Sequence, residues 1–259
     1  MQALIIFLIA ALTSGCSKEL SGGGYQPPVD PTDSFNLSID FTPVVDTIKL
    51  SFDSSYTNFW KEKYTVSSFK FYVSHFDLIN TDSNRVYHIN PDRYFLVDAA
   101  DSTTWSVRLA SLPFRYNRIS FLIGVDSARN VSGAQTGALD PAKGMFWTWS
   151  SGYVMAKLEG NSPTSSLTNN KIEYHIGGFA GAENVLRTPT LLFPFGEYSE
   201  VLPGKKSTIN INANVNAWFY NPHQIKISEN PSCTTPGLMA KDISENYSKM
   251  FVVTSIVNK

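Results

Sequence analysis

Four histidines, His75, His88, His175 and His223, and one internal thiol, Cys233, are the side chains here with the plainest metal-binding chemistry. No two histidines stand four residues apart, so a pair of ligands on one helix turn is excluded. If they bind metal, the fold must gather them from separate strands. There is no nucleophile elbow, no phosphate loop, no His-Glu-x-x-His and no pair of cysteines at metal spacing. Cys233, in Asn230-Pro231-Ser232-Cys233, reads as a passive loop thiol. The chain is expected not to be an enzyme.

Each histidine has a reading from its neighbours. Phe69, Phe71 and Val73 alternate, and continuing that strand puts His75 on their inward face. A buried imidazole needs a partner, so His75 is either a satisfied core residue or a ligand. His88, in Val86-Tyr87-His88-Ile89, falls on a strand near a turn and reads as exposed. His223 follows Asn221-Pro222 in a loop and also reads as solvent-exposed. The block Phe146-Trp147-Thr148-Trp149-Ser150-Ser151-Gly152-Tyr153 places Trp147, Trp149 and Tyr153 on one face of a strand. Such rings are expected in the core; the functional alternatives are an aromatic platform for a sugar, or a metal site with a modified tryptophan.

The elements that must carry these residues are strands. Leu37, Ile39 and Phe41 alternate with Ser38 and Asp40. Ile48-Leu50-Phe52, Trp105-Val107-Leu109 and Ile119-Phe121-Ile123-Val125 repeat the pattern. From Ile209 to Ala217 apolar residues alternate with four asparagines, which predicts an antiparallel strand with one wet face. Turn-rich breaks at Asn90-Pro91-Asp92, Asn130 to Gly137, Asn161-Ser162-Pro163 and Leu202-Pro203-Gly204 separate the segments. One stretch, Leu238 to Phe251, has helical spacing, with Pro236-Gly237 before it. The expected fold is all-β, an antiparallel β-sandwich with long loops and a short C-terminal helix.

Composition limits the partners. Of 259 residues 42% are hydrophobic and 13% aromatic, enough for a real core. Lys+Arg 21 against Asp+Glu 22 gives a net charge of -1, without the basic excess of a nucleic-acid binder. Leu4 to Leu12 is apolar but too short to span a bilayer, and Thr13-Ser14-Gly15-Cys16 follows it. That resembles a bacterial lipoprotein signal, in which cleavage leaves Cys16 as the lipidated first residue. Residues 1–15 are read as the signal peptide, 16–34 as the lipidated cysteine and a Gly/Pro-rich tether, and 35–259 as the folded domain. The expected location is the cell envelope, as an outer-membrane lipoprotein held by its lipid anchor. Ser17-Lys18-Glu19 is weakly similar to the surface-export signals of Bacteroidota lipoproteins.

An ordered set of motifs adds to this. Phe71-Tyr72-Val73-Ser74, then Phe121-x-Ile123-Gly124-Val125-Asp126 and Asn130, then Leu139-Asp140-Pro141, then Gly144-Met145-x-Trp147-x-Trp149-x-x-Gly152-Tyr153, then Leu158-Glu159-Gly160, His175-x-Gly177 and Asn246-Tyr247 with Met250-Phe251 resemble the MbnP-like family, the methanobactin-operon copper proteins and their relatives. The resemblance spans about residues 36–256. It implies a β-sandwich with long loops that binds copper outside the inner membrane. It also implies histidine ligands, a tryptophan oxidised to kynurenine, and a partner diheme peroxidase-type enzyme that performs the oxidation.

Carried onto this chain, the resemblance makes His175 the first metal candidate, with Gly177 and Gly178 expected to leave space beside it. His75 and His88 are the further candidates, and Trp60 is the candidate for modification. The Trp-x-His of one family branch is missing, since Val73, Val86, Glu173 and Asn221 stand two before the histidines. The alternative is a β-sandwich that has lost the metal and serves as a surface interaction or ligand-binding module.

The anchor has a direct consequence. Cys16→Ala should move the protein from the membrane fraction to the soluble fraction, because acylation has no other acceptor at that position. A variant that still sediments with membranes to the wild-type extent would refute lipidation at Cys16.

Overall fold

The computed structural model describes residues 35–89, 92–149 and 152–259. The expected signal peptide, Cys16 and the tether lie outside the described residues. The principal strands are β1 (Leu37–Val45), β2 (Lys63–Asn80), β3 (Arg85–His88), β4 (Tyr94–Asp98), β5 (Ser106–Leu109), β6 (Arg118–Ile123), β7 (Gly152–Asn161), β8 (Lys171–Gly177), β9 (Ser207–Asn214) and β10 (Phe251–Asn258). Among the described residues two α-helices accompany them, α1 (Ser127–Val131) and α2 (Leu238–Tyr247). No described helix is long and apolar enough to cross a membrane.

The expected all-β sandwich is what forms. One sheet runs β10-β9-β1, with β5 also paired to β1. The other is built on β2, whose eighteen residues pair with β3, β4, β6 and β7, and β7 carries β8. Alternation puts Leu37, Ile39 and Phe41 of β1 inside while Ser38 and Asp40 face out. The two inner faces meet through four rings. Phe41 lies edge-on to Phe71, Phe121 and Phe251 at centroid distances of 5.9, 5.5 and 5.8 Å. Phe251 closes the group at 5.4 Å from Phe71 and 5.0 Å from Phe121.

Several expectations need correction. The asparagine-faced strand is antiparallel to β10 but parallel to β1, and it stops at Asn214. Val215–Phe219 turns as a 3-10 helix, capped by the Asn214 side chain on Asn216 N–H. The segment around Ile48 is a two-residue strand, with Ile48 68% exposed, so its alternation marks no buried face. The predicted C-terminal helix ends at Tyr247, because Phe251 is drawn into the core as the start of β10. Cys233 is buried in a short strand beside β8 rather than in a loop, and burial pushes its thiol up to about 11.

The largest departure is at His75. The pairing of β2 with β6 shifts register between Ser74 and Asp77, and His75 adopts φ 49°. This bulge turns Phe76 inward and His75 outward, so His75 does not continue the face of Phe69, Phe71 and Val73. The tryptophan block also splits. Trp147 is buried, with 8% exposure, whereas Trp149 stands 64% exposed. The chain turns back between Trp147 and β7, where Trp147 pairs with Gly152 and Phe146 with Tyr153, so the three rings do not share one strand. Nor is Gly177 open space beside His175. A Cβ there would lie 2.5 Å from the Trp147 ring, so the glycine is what lets that ring reach β8.

The split gives a clear contrast in stability. Trp147→Ala should cost about 3–5 kcal/mol, as for a buried aromatic. Trp149→Ala should stay within about 0.5 kcal/mol. Urea denaturation of both variants checks this, and equal losses would contradict the divided block.

Candidate metal centre

Each histidine of the described domain faces a carboxylate, in one of two arrangements. His88 Nδ1 is 2.8 Å from Asp77 Oδ1 at the solvent edge of the β2–β3 pair. His175 Nε2 is 2.6 Å from Glu159 Oε1, and Lys157 Nζ is 3.5 Å from the same oxygen. His75 Nδ1 meets Ser74 Oγ at 3.0 Å, and its Nε2 is 3.9 Å from Asp126 Oδ2. Asp126 is already committed. It caps α1 by accepting Arg129 N–H, and it accepts the Tyr94 hydroxyl. Burial would raise the Asp126 carboxyl, but those hydrogen bonds outweigh it and hold it low. The three histidines singled out from the sequence therefore occupy three separate one-to-one settings, and the structure does not bring them together.

His223 is different. Its Nε2 is 2.7 Å from Glu245 Oε2 and 3.6 Å from Asp242 Oδ1, and the three donor atoms all lie within 4.8 Å of one another. Among the described residues this is where three such donors converge. Asp242 and Glu245 stand three apart on α2 and so share a face. The helix buries Ala240, Ile243, Ser244, Asn246 and Tyr247.

Asn246 fixes the loop over that helix. Its Oδ1 accepts His223 N–H at 2.8 Å, and its Nδ2 donates to Trp218 O at 3.0 Å and His223 O at 2.9 Å. Arg187 Nη2, 3.4 Å from Glu245 Oε1, holds the carboxylate so that Oε2 is left to His223. The His223 hydrogen bond and the nearby Arg187 charge keep the Glu245 carboxyl below its usual range. His223 was expected in solvent; it is half-buried because this clamp draws the loop down. The signal available in the sequence was the Asp242/Glu245 spacing on an already recognisable helix.

A second anchor steadies the same loop. The buried Glu62 carboxylate accepts Ile227 N–H at 2.8 Å, Ser228 N–H at 2.9 Å and the Asn58 amide at 2.8 Å. Trp60 approaches from the same turn and donates Nε1–H to Phe219 O at 2.8 Å. Trp60 and His223 are thus tied to one continuous segment, residues 215–228.

A family model described as MbnP matches residues 34–235. A solved structure, MbnP from Methylosinus trichosporium, is similar at 13% identity and a TM-score of 0.48, over 76% of this chain and 82% of that one. No curated protein matches the chain. The family match ends before α2, so Asp242 and Glu245 lie beyond it.

The His175–Glu159 pair should show in acid. Its hydrogen bond from His175 holds the Glu159 carboxyl at about 2, against an ordinary 4.5, although burial acts in the opposite direction. A depressed carboxyl stabilises the fold above its unfolded pKa and loses that contribution as pH falls through the folded value. Glu159→Gln should therefore lose about 1 kcal/mol at pH 7, a figure lowered for solvent screening at this partly open pair. It should also remove part of the stability decline between pH 4.5 and about 2. Superimposable pH–stability curves for variant and wild type would exclude this coupling.

Proposed function

We propose a function from one premise: the chain belongs to the MbnP family. On this reading it is an exported lipoprotein, held at the cell envelope through Cys16, that binds copper outside the inner membrane. It is a binding protein and not an enzyme. The observation that carries the metal assignment is the convergence of His223, Asp242 and Glu245.

The donor set suits the ion. One imidazole and two carboxylates make an N,O site of the kind that takes copper(II) or zinc, and it has no thiolate to favour copper(I). Two donors on one such ion, at bonds near 2.1 Å, sit about 3–3.5 Å apart. The two His223 separations, 2.7 and 3.6 Å, lie near that range, and all three donors are within 4.8 Å of one another. His223 would supply neutral Nε2, while Arg187 keeps hold of the outer Glu245 oxygen. Trp60 remains the tryptophan proposed for oxidation by a diheme peroxidase-type partner, since its indole is bonded to the segment that carries His223.

The metal-free alternative has an observation of its own. His75, His88 and His175 each already have a carboxylate partner, so none of them needs an ion.

Titration of the full chain with copper(II) against a competing chelator separates the two. His223→Ala should weaken binding at least tenfold, as loss of a ligand does, and His175→Ala should leave it near wild type. Binding should also weaken in acid, where imidazole takes up a proton. Equal affinities for wild type and His223→Ala would overturn the site.

A further inference from the structure

Three aromatic rings gather at the surface where the turn before β2 meets the segment after the Val215–Phe219 turn. Phe59 is 56% exposed and Tyr220 is 42% exposed, yet their rings stack at 3.9 Å with 13° between planes. Trp60 stands edge-on to both, at 5.2 and 5.8 Å. Large rings are normally buried, and a cluster left in solvent is the usual mark of a binding surface.

The cluster is rigid. The Trp60 indole is fixed to Phe219 O, and the Asn58 side chain accepts Trp60 N–H and Glu62 N–H. Lys61 and Asn221 hold left-handed backbone, with φ of 66° and 67°. Such strain on non-glycine residues persists only where the surroundings enforce it.

Phe59 and Tyr220 border a cleft of about 410 Å³, whose other lining includes Asp46, Lys61, Asn214 and Asn216. The polar side is built too. Asn216 Oδ1 accepts the Tyr64 hydroxyl at 2.7 Å, and its Nδ2 donates to Asp46 Oδ1 at 2.9 Å. Asn214 Oδ1 accepts Asp46 N–H at 2.8 Å and Asn216 N–H at 3.0 Å. That leaves the Asn214 amide N–H groups, the second Asp46 oxygen and the Lys61 ammonium without hydrogen bonds or ion pairs among the described residues.

We propose that this cleft binds a neutral saccharide. A pyranose has an apolar C–H face, which packs on an exposed aromatic ring, and a rim of hydroxyls that both donate and accept. Asp46 accepts, Lys61 and Asn214 donate, and the one negative and one positive charge leave no preference for an ionic ligand. A lipid tail would meet a polar floor, and a basic or acidic peptide would meet a balanced one. The cleft lining does not include His223, Asp242 or Glu245, and the proposal does not depend on the metal reading.

The test uses the full chain and a panel of probes: cellohexaose, xylohexaose, mannohexaose, maltohexaose and chitohexaose, with a proline-rich decapeptide as the contrasting ligand. Calorimetry and tryptophan fluorescence should detect at least one saccharide with a dissociation constant of about 1 mM or tighter. Phe59→Ala and Tyr220→Ala should each weaken that binding about tenfold or more. Lys61→Ala should weaken it less, and Trp149→Ala, which removes an exposed ring elsewhere, should leave it unchanged. Circular dichroism should show the variants folded, because Phe59 is more than half exposed and Tyr220 lies outside the buried core. Failure of every saccharide to bind would overturn the proposal. So would binding that survives loss of both rings, or binding of the peptide alone.

Discussion

Four phenylalanines decide how this molecule is put together. Phe41, Phe71, Phe121 and Phe251 come from β1, β2, β6 and β10, and their edge-to-face contacts join the two sheets at the centre. Each such pair contributes roughly 0.5–1.5 kcal/mol beyond its buried area. The demand on Phe251 reaches furthest. It follows α2 by four residues, so the helix must end where its last turn can hand the chain directly to the core. Met250 then ties that junction to both sides: its carbonyl accepts Asn214 N–H at 2.9 Å, and its sulfur receives Trp218 Nε1–H at 3.4 Å. The 3-10 turn that leads to His223 and the helix that carries Asp242 and Glu245 are therefore fixed at one point of the core.

The alternating strands were legible because burial on one face of a sheet writes itself into the sequence with period two. β5 and β9 follow that rule throughout and β1 over its first seven residues, while β6 also buries Ser120 between Ile119 and Phe121. What the period does not contain is the partner. β9 lies parallel to β1 on one side and antiparallel to β10 on the other, and its wet asparagine face is the same in either case. Nor does the period report an inserted residue. The bulge at His75 reverses the face of every later position in β2, so extrapolating from Val73 placed the imidazole inside when Phe76 had taken that place. Trp149 was misplaced for a related reason, since a turn interrupts the strand just before the ring.

The candidate site was legible only in parts. The acidic pair on α2 was visible as spacing three on a segment with helical periodicity. Its relation to His223 was not, because it rests on a tertiary clamp: one asparagine side chain, Asn246, bridging a helix and a loop that begins more than twenty residues earlier. The family resemblance directed attention to His175, which sits within a matching block. There the side chain across the strand pair, Glu159, had equal claim to be its partner, and a cross-strand contact offset by two positions is not something sequence spacing can display.

The contrast among the four histidines then becomes one of charge balance. At His88 and His175 a single carboxylate meets a single imidazole, and at His175 the Lys157 ammonium adds positive charge beside it. A cation entering there would find a single carboxylate beside the imidazole, and at His175 the Lys157 ammonium would oppose it. At Asp126 the carboxylate is occupied by a helix N-terminus and a phenol. Around His223 two carboxylates stand against one imidazole, and Arg187 reaches only the far oxygen of Glu245. Asp242 brings a second carboxylate to the half-buried group, where Arg187 and Lys241 are the cations acting on Glu245. Two carboxylates with an imidazole beside them offer a divalent cation more oxygen donors and more negative charge than a single carboxylate does.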